Sequence, residues 1–466
     1  MNPRHDFLHV KDSEIINGGN EIVRLRGFCL GGWLNLENFI IGYPGHESGM
    51  RTAIGRVLGD VKARFFFESF LHHFIAEEDL CFIKSLGCNV IRIPFNYRHF
   101  ESDDRPFEYK PEGFALLEKV IGWARTHQLY VILDLHAVQG WQNRGWHCDN
   151  PAREAPFWGQ KVFEDRAVRL WEELARRYRN EPVVAGYDVM NEPDADDVLW
   201  LNHFYSRVIT AIRAIDTNHI LFLEGNRYSQ QFESFDSFLG ENIVFSSHNY
   251  VEPGLSEVEY PGEIGGKFYD RKRLEAEYLE RTGFMLQHGV PNWVGEFGCI
   301  FTGGKGDVVR LRVLADMLDI IEKYNHHWTI WNYKDIGRMG MLYLDNESEW
   351  MRRTSPIREA KTALRCDSWV ERHKTQIDQP IQYIASYVRE VVKYSPFDDA
   401  RLEEMLDVAI RDTALSQALL PAFAEQFHGM NENEIDQMME SFAFHNCKQR
   451  GGLVQLISEQ LAKVSV

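Results

Sequence analysis

Short apolar runs alternate along this chain with longer segments whose apolar residues recur at helical spacing. Eight runs stand out, and a segment of the helical type follows each. The runs cover residues 23–30, 89–94, 130–136, 185–191, 219–224, 242–250, 291–297 and 328–331. Strands that are apolar on both faces belong to parallel sheets covered by helices. The pattern therefore predicts an α/β fold, a (β/α)8 TIM barrel over about residues 20–365.

The segments between the runs have the spacing of amphipathic helices. In 165–178, for example, Val168, Leu170, Trp171, Leu174 and Tyr178 lie close to one stripe. Other such segments are 74–86, 113–127, 199–215, 272–288 and 308–324. A doubly wound open sheet is the competing architecture, but no GxGxxG motif follows an early strand.

Two features precede the first helix of the predicted barrel. Residues 14–16 and 21–24 flank Asn17-Gly18-Gly19-Asn20, which predicts a β-hairpin that covers the lower mouth of the barrel. After the first strand, residues 42–66 form an insertion that is too long for a plain βα loop. We expect this insertion to shape a site.

The pattern changes at residue 380, where strand-like alternation ends. Apolar residues recur at helical spacing in two stretches, Ile381, Ile384, Val388, Val391 and Val392, and then Leu402, Leu406, Ala409 and Ile410. The interpretation is one catalytic barrel with its hairpin at 1–370 and an all-helical C-terminal appendage at 380–466. The appendage could pack on the barrel, bind a partner, or join subunits into a homo-oligomer.

Composition and charge narrow the classes of partner. Lys and Arg number 51 against 69 acidic residues, a net charge of −18, so a general nucleic-acid binder is not expected. The 30 Phe, 12 Trp and 18 Tyr residues suit a core and equally suit stacking against sugars or bases. No stretch approaches the apolar length of a membrane span.

The N-terminal residues and the cysteines predict a cytoplasmic protein. The chain begins without an apolar run after a basic start, so no secretory signal is expected. The seven cysteines are scattered and form no CxxC pair. We expect buried, reduced thiols rather than a disulfide framework or a zinc cluster.

Polar side chains end the apolar runs at the positions where barrel enzymes place their chemistry. In chain order they are Arg92, His136, Asn191 with Glu192, His248 with Tyr250, and Glu296, while Trp331 ends the eighth run. Each residue taken alone has an ordinary packing explanation, as a structural ion pair, a core histidine or core filling. Together they are hard to explain by packing, because burying so many ionisable groups is costly unless they are paired.

Two of these groups, Glu192 and Glu296, suggest glycoside hydrolysis. One carboxylic acid must protonate the leaving oxygen, and the other must attack the anomeric carbon or activate water. Their surroundings must push the two pKa values apart. Arg92 and Tyr250 are suited to keep Glu296 ionised, and Asn191 is a neutral donor suited to a sugar hydroxyl.

With these residues the chain resembles glycoside hydrolase family 5, a large family of retaining β-glycosidases with a barrel fold. The eight active-site residues of that family are all present, in order and on the expected strands. They are Arg92, His136, Asn191, Glu192, His248, Tyr250, Glu296 and Trp331. The resemblance covers about residues 20–365 and excludes the tail.

The resemblance implies a role for each residue. Glu296 would be the nucleophile and Glu192 the acid and then the base, with their carboxyl groups about 5–5.5 Å apart. Asn191 would hold the sugar 2-hydroxyl, His248 and Tyr250 would orient the carboxyl groups, and Trp331 would form the floor under the ring. No metal or organic cofactor is implied.

The first strand resembles the opening of the exo-β-1,3-glucanases in this family. The match is Gly27-Phe28-Cys29-Leu30-Gly31-Gly32-Trp33-Leu34-Asn35-Leu36-Glu37. It implies that Glu37 grips the terminal sugar, with a loop ion pair as the alternative. Gly140-Trp141-Gln142-Asn143 resembles a second stretch of the same group, with Trp141 in place of a small residue. Candidate sugar platforms are Trp33, Trp141, Trp146 and Trp158, which are equally suited to the core.

The expected activity is therefore retaining, exo-acting hydrolysis of β-glucosides or short β-gluco-oligosaccharides. The alternatives are an endo-β-glucanase or β-mannanase, a glycolipid-cleaving glycosidase, and, from another class, an inactive carbohydrate-binding barrel.

Overall fold

The computed structural model describes residues 6–235, 238, 240, 242–366, 376–392 and 399–463. The predicted division into 1–370 and 380–466 includes residues outside these ranges and stays a prediction. The described chain is dominated by a closed barrel of eight strands in which every neighbouring pair is parallel. This confirms the fold class that the apolar runs predict.

Each of the eight predicted runs overlaps a barrel strand. In chain order the barrel strands are β3 (Arg26–Cys29), β4 (Val90–Asn96), β5 (Tyr130–Ala137), β6 (Val184–Asp188), β7 (Ile220–Glu224), β8 (Ile243–His248), β11 (Asn292–Glu296) and β12 (His327–Ile330). Nearly all of their residues are buried, because side chains fill the barrel and helices cover its outside. The first strand pairs with both the second and the eighth, which closes the barrel.

Helices surround this barrel. Those up to residue 364 are α1 (Asn38–Ile41), α2 (Glu47–Leu58), α3 (Asp60–Phe74), α4 (Glu77–Ser85), α5 (Pro111–His127), α6 (Lys161–Tyr178), α7 (Val198–Arg213), α8 (Asn226–Ser229), α9 (Glu252–Leu255), α10 (Arg271–His288), α11 (Lys305–Lys323) and α12 (Glu349–Leu364). The insertion at 42–66 is helical rather than a loop. The predicted segment 74–86 begins at the last residue of α3 and otherwise corresponds to the short helix α4. Phe66, Phe70 and Phe74 form an apolar stripe that belongs to α3, upstream of that segment.

The N-terminal hairpin is present in a shorter form than predicted. Ile16 bridges Ile22, and hydrogen bonds from Asn17 N to Glu21 O and from Val23 N to Ile15 O flank the bridge. A strand that the apolar pattern does not predict, β1 (His9–Lys11), precedes the hairpin and pairs with β2 (Glu14–Ile16).

The hairpin covers the lower mouth of the barrel, as predicted. Leu8, Ile15 and Leu25 pack in one buried cluster with barrel residues such as Val90 and Trp293.

The tail packs on the barrel helices. Its helices are α13 (Asp378–Val391), α14 (Asp399–Asp407), a π-helical turn (Val408–Leu415), α15 (Ser416–Glu425), α16 (Glu432–Met439) and α17 (Gly451–Lys463). Helix α15 contacts α2 and α16 contacts α3. The described tail is helical except for short 3-10 turns and one strand, β15 (Cys447–Gln449), which pairs with β14 (Leu342–Leu344) next to β13 (Lys334–Asp335). A separate small sheet joins β9 (Gly262–Ile264) to β10 (Lys267–Tyr269).

Aromatic residues join the tail to the main core. Phe427 packs edge-on against Phe66 of α3 with 4.9 Å between ring centroids, and Phe442 contacts Trp350 at 5.0 Å. These rings belong to the same buried cluster as the barrel strands. All seven cysteines are free thiols. No described helix combines the length and hydropathy needed to cross a bilayer.

Candidate active site

The eight residues singled out at the strand ends meet at the C-terminal mouth of the barrel. Arg92 lies within β4, His136 within β5, and His248 and Glu296 end β8 and β11. The remaining four lie within about four residues after strand ends: Asn191, Glu192, Tyr250 and Trp331. Hydrogen bonds and ring contacts connect all eight, and strand order alone brings them together.

Arg92 is the centre of this network. Its fully buried guanidinium donates to Asn191 Oδ1 at 2.8 Å. It also contacts four carboxylates: Asp134, Asp188, Glu224 and Glu296. Burial alone would lower the pKa of Arg92, but the charges of Asp134, Asp188 and Glu296 hold it well above its usual value. The guanidinium therefore stays charged and compensates the acidic groups around it.

Two donors orient the Glu296 carboxylate. Arg92 Nη1 donates to Oε1, and the Tyr250 hydroxyl donates to Oε2 at 2.9 Å. The strand register shifts between Val294 and Glu296, so this side chain is aimed by an irregularity at the end of β11. Both oxygens of the carboxylate are therefore held by neighbouring donors.

Glu192 lies on the opposite side, just after β6. Its backbone has φ of 45°, in the left-handed region, and its N–H donates to Glu224 Oε2 at 2.6 Å. This bond holds a conformation that a glutamate rarely adopts. The Glu192 side chain is 13% exposed against 5% for Glu296, so it lies nearer the opening of the site.

His248 connects the two glutamates. Its Nδ1 lies 2.7 Å from Glu192 Oε1 and 3.6 Å from Glu296 Oε2, and its Nε2 lies 3.3 Å from Glu224 Oε1. Burial opposes the charged ring, but Glu224 and Glu296 hold the pKa of His248 well above its usual value. The imidazolium can therefore donate a hydrogen bond to the Glu192 carboxyl group.

Glu192, His248 and Glu296 place one possible ligand atom each within 4.8 Å of one another. Such a set could in principle hold a metal ion. The charged guanidinium of Arg92 contacts Glu296, however, and a cation beside it would be repelled. The geometry therefore suits an acid–nucleophile pair better than a metal centre.

His136 and Trp331 form one wall of the site. Their rings are stacked, with centroids 5.3 Å apart and planes 7° from parallel. Asp134 Oδ2 lies 2.8 Å from His136 Nδ1 and, against the effect of burial, raises the pKa of His136 to about 10. Trp331 lies on the bare backbone of Gly31, where an added Cβ would come within 2.7 Å of the indole. Any larger residue at position 31 would displace the indole.

Glu37 points into the same space. Its Oε1 lies 3.5 Å from His136 Nε2 and accepts no hydrogen bond from any residue in the described ranges. Burial raises the pKa of the Glu37 carboxyl to about 7, with His136 opposing the rise. A buried carboxyl oxygen without a donor is suited to a ligand hydroxyl.

The tryptophans predicted as sugar platforms divide into two groups. The indole N–H of Trp33 donates to Leu71 O at 3.0 Å, and Trp33 packs in the core, so its contacts are those of a core residue. Trp158 donates to Gln142 O at 2.8 Å. The indole nitrogens of Trp141 and Trp146 are buried and have no partner among the described residues.

Asn143 and His147 support the Glu192 segment. Asn143 Nδ2 donates to the Glu192 backbone carbonyl and to His147 Nε2, each at 2.8 Å, while Gly145 N donates to its Oδ1. All the polar atoms of the Asn143 amide are thus used within the protein, which makes it a positioning residue. His147 Nε2 also lies 3.2 Å from Glu192 Oε2.

Four polar residues of the site escaped the sequence analysis as site residues. Asp134, Asp188 and Glu224 carried a usable signal, because each lies at or near the end of a barrel strand. Glu224 ends the fifth apolar run, and it binds Arg92, His248 and the Glu192 backbone. His147 carried no signal, since only the path of its loop brings it to Glu192.

Comparisons with known proteins agree with this site. The family model described as Cellulase (glycosyl hydrolase family 5) matches residues 60–337. A protein named β-xylosidase from Phanerodontia chrysosporium is 37% identical, covering 98% of this chain and 99% of its own length. A probable glucan 1,3-β-glucosidase A from Emericella nidulans is 31% identical over 68% of this chain and 87% of its own.

A solved structure supports the fold. The rutinosidase from Aspergillus niger superposes with a TM-score of 0.55 at 19% identity, over 67% of this chain and 90% of that one.

Proposed function

Because the chain belongs to glycosyl hydrolase family 5, we propose that it is a retaining, exo-acting β-glycosidase that removes terminal sugars from short β-linked oligosaccharides. The observation that carries the mechanism is the closeness of the two glutamates. Carboxylate atoms of Glu192 and Glu296 lie within 4.8 Å of each other. Inverting enzymes hold their carboxyl groups about 6.5–9.5 Å apart to admit a water, whereas retaining ones hold them at about 5–5.5 Å.

The roles follow from the contacts. Glu296, held by Arg92 and Tyr250, attacks the anomeric carbon, and the bond to the leaving oxygen breaks as Glu192 donates its proton. Glu192 then takes a proton from water, which attacks the glycosyl–Glu296 ester and releases the sugar with its original configuration. Asn191 and Arg92 are linked at 2.8 Å, so the amide that would bind the 2-hydroxyl is preoriented.

Glu37 supports the exo-acting proposal, because it places an unpartnered carboxyl oxygen at the His136 wall of the site. The names of the two relatives, β-xylosidase and glucan 1,3-β-glucosidase, support a terminal β-xylose or β-glucose. The second candidate is endo-cleavage. It is favoured by the similarity to endoglucanase C from Acetivibrio thermocellus, which is 26% identical over 56% of this chain.

Product analysis tests this proposal. We expect cello-, laminari- or xylo-oligosaccharides to be shortened one sugar at a time, with the monosaccharide as the first product. Time-resolved chromatography of a hexasaccharide digest distinguishes the modes, and mid-chain fragments at the earliest time points would refute exo action. Proton NMR of the first product checks that the β-anomer is released. Binding without any hydrolysis would favour the carbohydrate-binding barrel instead.

Cofactor use, cellular location and oligomeric state complete the proposed function. We propose that it proceeds without a metal or organic cofactor, because Arg92 supplies the positive charge beside Glu296. Cytoplasmic location stays a prediction. Oligomerisation through the tail also stays a prediction. Helices α15, α16 and α17 bury apolar residues in the main core, whereas Tyr383, Tyr387 and Val391 of α13 are exposed.

His147 provides a test of how the Glu192 segment is positioned. Burial lowers the pKa of its ring to about 3, so the ring is neutral, and its Nε2 accepts the hydrogen bond from Asn143 Nδ2. Asn143 Nδ2 also donates to the Glu192 backbone carbonyl, so the ring helps to orient the amide that holds this segment. We expect His147→Phe, which cannot accept that bond, to lower kcat/KM about tenfold.

His147→Gln is the matched variant, because its amide oxygen can accept the same bond. It should recover most of kcat/KM. If both variants lower kcat/KM equally, His147 has only a packing role.

A further inference from the structure

The segment after β7 has an unusual backbone. Arg227, Tyr228 and Ser229 of the short element α8 all have positive φ, at 53°, 57° and 62°. Residues other than glycine visit this left-handed region singly rather than in runs, because their Cβ atoms crowd the following carbonyl oxygen. Contacts with the rest of the protein must therefore hold these three residues, which we call the left-handed turn.

The left-handed turn and the residue before it lie against residues 191–195, the acid loop that carries Glu192. The contacts follow one order along both segments, with distances of 2.6–3.2 Å. They join Asn226 to Ala195, Arg227 to Asp194, and Tyr228 to Pro193. The turn therefore fixes the part of the acid loop that follows Glu192 directly.

Ser229 ends the left-handed turn and is completely buried. Its hydroxyl donates to Glu224 Oε2, the same oxygen that accepts the Glu192 N–H at 2.6 Å. The other oxygen of Glu224 contacts Arg92 at 2.9 Å and His248 at 3.3 Å. In the described part of the chain, no other side chain donates to Oε2, so Ser229 fixes the oxygen on which the Glu192 backbone depends.

These contacts act on the acid and not on the nucleophile. Glu296 receives its two donors from Arg92 and Tyr250, and the left-handed turn supplies neither. Glu192 itself has φ of 45°, and its bond to Glu224 holds that conformation. Loss of the Ser229 hydroxyl should therefore disturb the direction of the acid while the nucleophile keeps both of its donors.

We propose that Ser229 is a positioning residue for the acid. The left-handed turn presents its hydroxyl to Glu224, and Glu224 in turn fixes the Glu192 backbone, so that the Glu192 carboxyl group is directed at the leaving oxygen. This inference rests on the proposed function, in which Glu192 is the acid. Because proton donation matters most for poor leaving groups, Ser229 contributes to the hydrolysis of unactivated substrates and little to that of activated ones.

The experiment measures kcat/KM of Ser229→Ala on two substrates. One is a β-linked disaccharide that the wild type hydrolyses, and the other is the dinitrophenyl β-glycoside of its terminal sugar. Both values report events up to departure of the leaving group, so the later role of Glu192 as a base does not enter. We expect kcat/KM to fall about tenfold on the disaccharide and less than about twofold on the activated glycoside.

Ser229→Gly is the second variant, because glycine adopts left-handed backbone without strain and so protects the fold. It should show the same selective loss, which separates the hydroxyl from the backbone. Ser69→Ala is the matched control. It removes another buried hydroxyl that donates to a carboxylate, Asp436 Oδ1 at 2.6 Å, in the contact between α3 and α16. The ratio of its two kcat/KM values should equal that of the wild type.

Three results would overturn this inference and leave the proposed function intact. They are equal losses on both substrates in the Ser229 variants, no loss on the disaccharide, or a selective loss in Ser229→Ala that Ser229→Gly lacks. Glu192→Ala, measured alongside, tests the proposed function separately. If that variant also loses both activities equally, Glu192 is not the acid, and the proposed function itself fails.

Discussion

Glu296→Ala is expected to lower kcat by at least about 10⁴-fold, because no other group in the described part of the chain is placed to attack the anomeric carbon. The fold should survive, since Arg92 keeps Asp134, Asp188 and Glu224 as partners when one carboxylate is removed. Steady-state kinetics on an aryl β-glycoside measure the loss, and a thermal melt checks that the variant is folded.

Added azide tests whether Glu296 is the nucleophile. In Glu296→Ala a small anion can enter the space of the lost carboxylate and attack from the same face. The aglycone then leaves in a single displacement, so the product is an α-glycosyl azide. A β-glycosyl azide from this variant, or more than about 1% of wild-type turnover without azide, would contradict the role of Glu296.

Glu192→Ala is expected to divide substrates by their leaving groups. Substrates with poor leaving groups, such as oligosaccharides, need proton donation, and their kcat/KM should fall by about 10³–10⁴-fold. An aryl glycoside with an acidic phenol leaves without that proton, so its kcat/KM should change by less than about tenfold. Hydrolysis of the covalent intermediate then becomes slow, because water has lost its base.

Azide also distinguishes Glu192→Ala from Glu296→Ala. Azide attacks the glycosyl–Glu296 ester from the leaving-group side and needs no base, so Glu192→Ala should yield a β-glycosyl azide at a restored rate. Asn143→Ala is an instructive comparison, since Asn143 holds the Glu192 backbone at 2.8 Å without supplying a proton. It should slow both substrate classes. Equal losses on activated and unactivated substrates in Glu192→Ala would contradict the acid role.

Arg92 explains how so many charges can share one barrel mouth. Burial and the charge of Glu224 raise the pKa of Asp188 well above its usual value, whereas His248 and Arg92 lower the pKa of Glu224 to about 2. Neighbouring carboxyl groups therefore differ in pKa because of the groups that face them. The network orients Glu192 and Glu296 through buried hydrogen bonds, so the site is preorganised before a substrate binds.

The tail contacts a loop beside the site as well as the core. Arg153 lies 3.2 Å from Asp412 of the tail, and Gln417 Nε2 donates to Pro151 O at 3.0 Å. Both contacts reach the loop that carries Asn143 and His147. The tail therefore supports the segment beside Glu192.

Much of the fold and the eight central residues followed from the sequence. Apolar runs of strand length with helical segments between them have few architectures that bury both faces of a sheet, and the parallel barrel is one of them. Once the strands were assigned, topology itself placed Arg92, Glu192 and Glu296 at one end. The family resemblance then supplied their roles.

Other features required the three-dimensional structure, because they depend on contacts between residues far apart in the chain. A strand pattern does not show that Glu224 supports the Glu192 backbone, since the contact joins the end of β7 to the loop after β6. Trp33 is packed in the core and Trp200 is exposed, although both have the same side chain. The difference depends on which helices cover each ring. Periodicity determined which residues are buried and at which barrel end, while tertiary packing decided their partners.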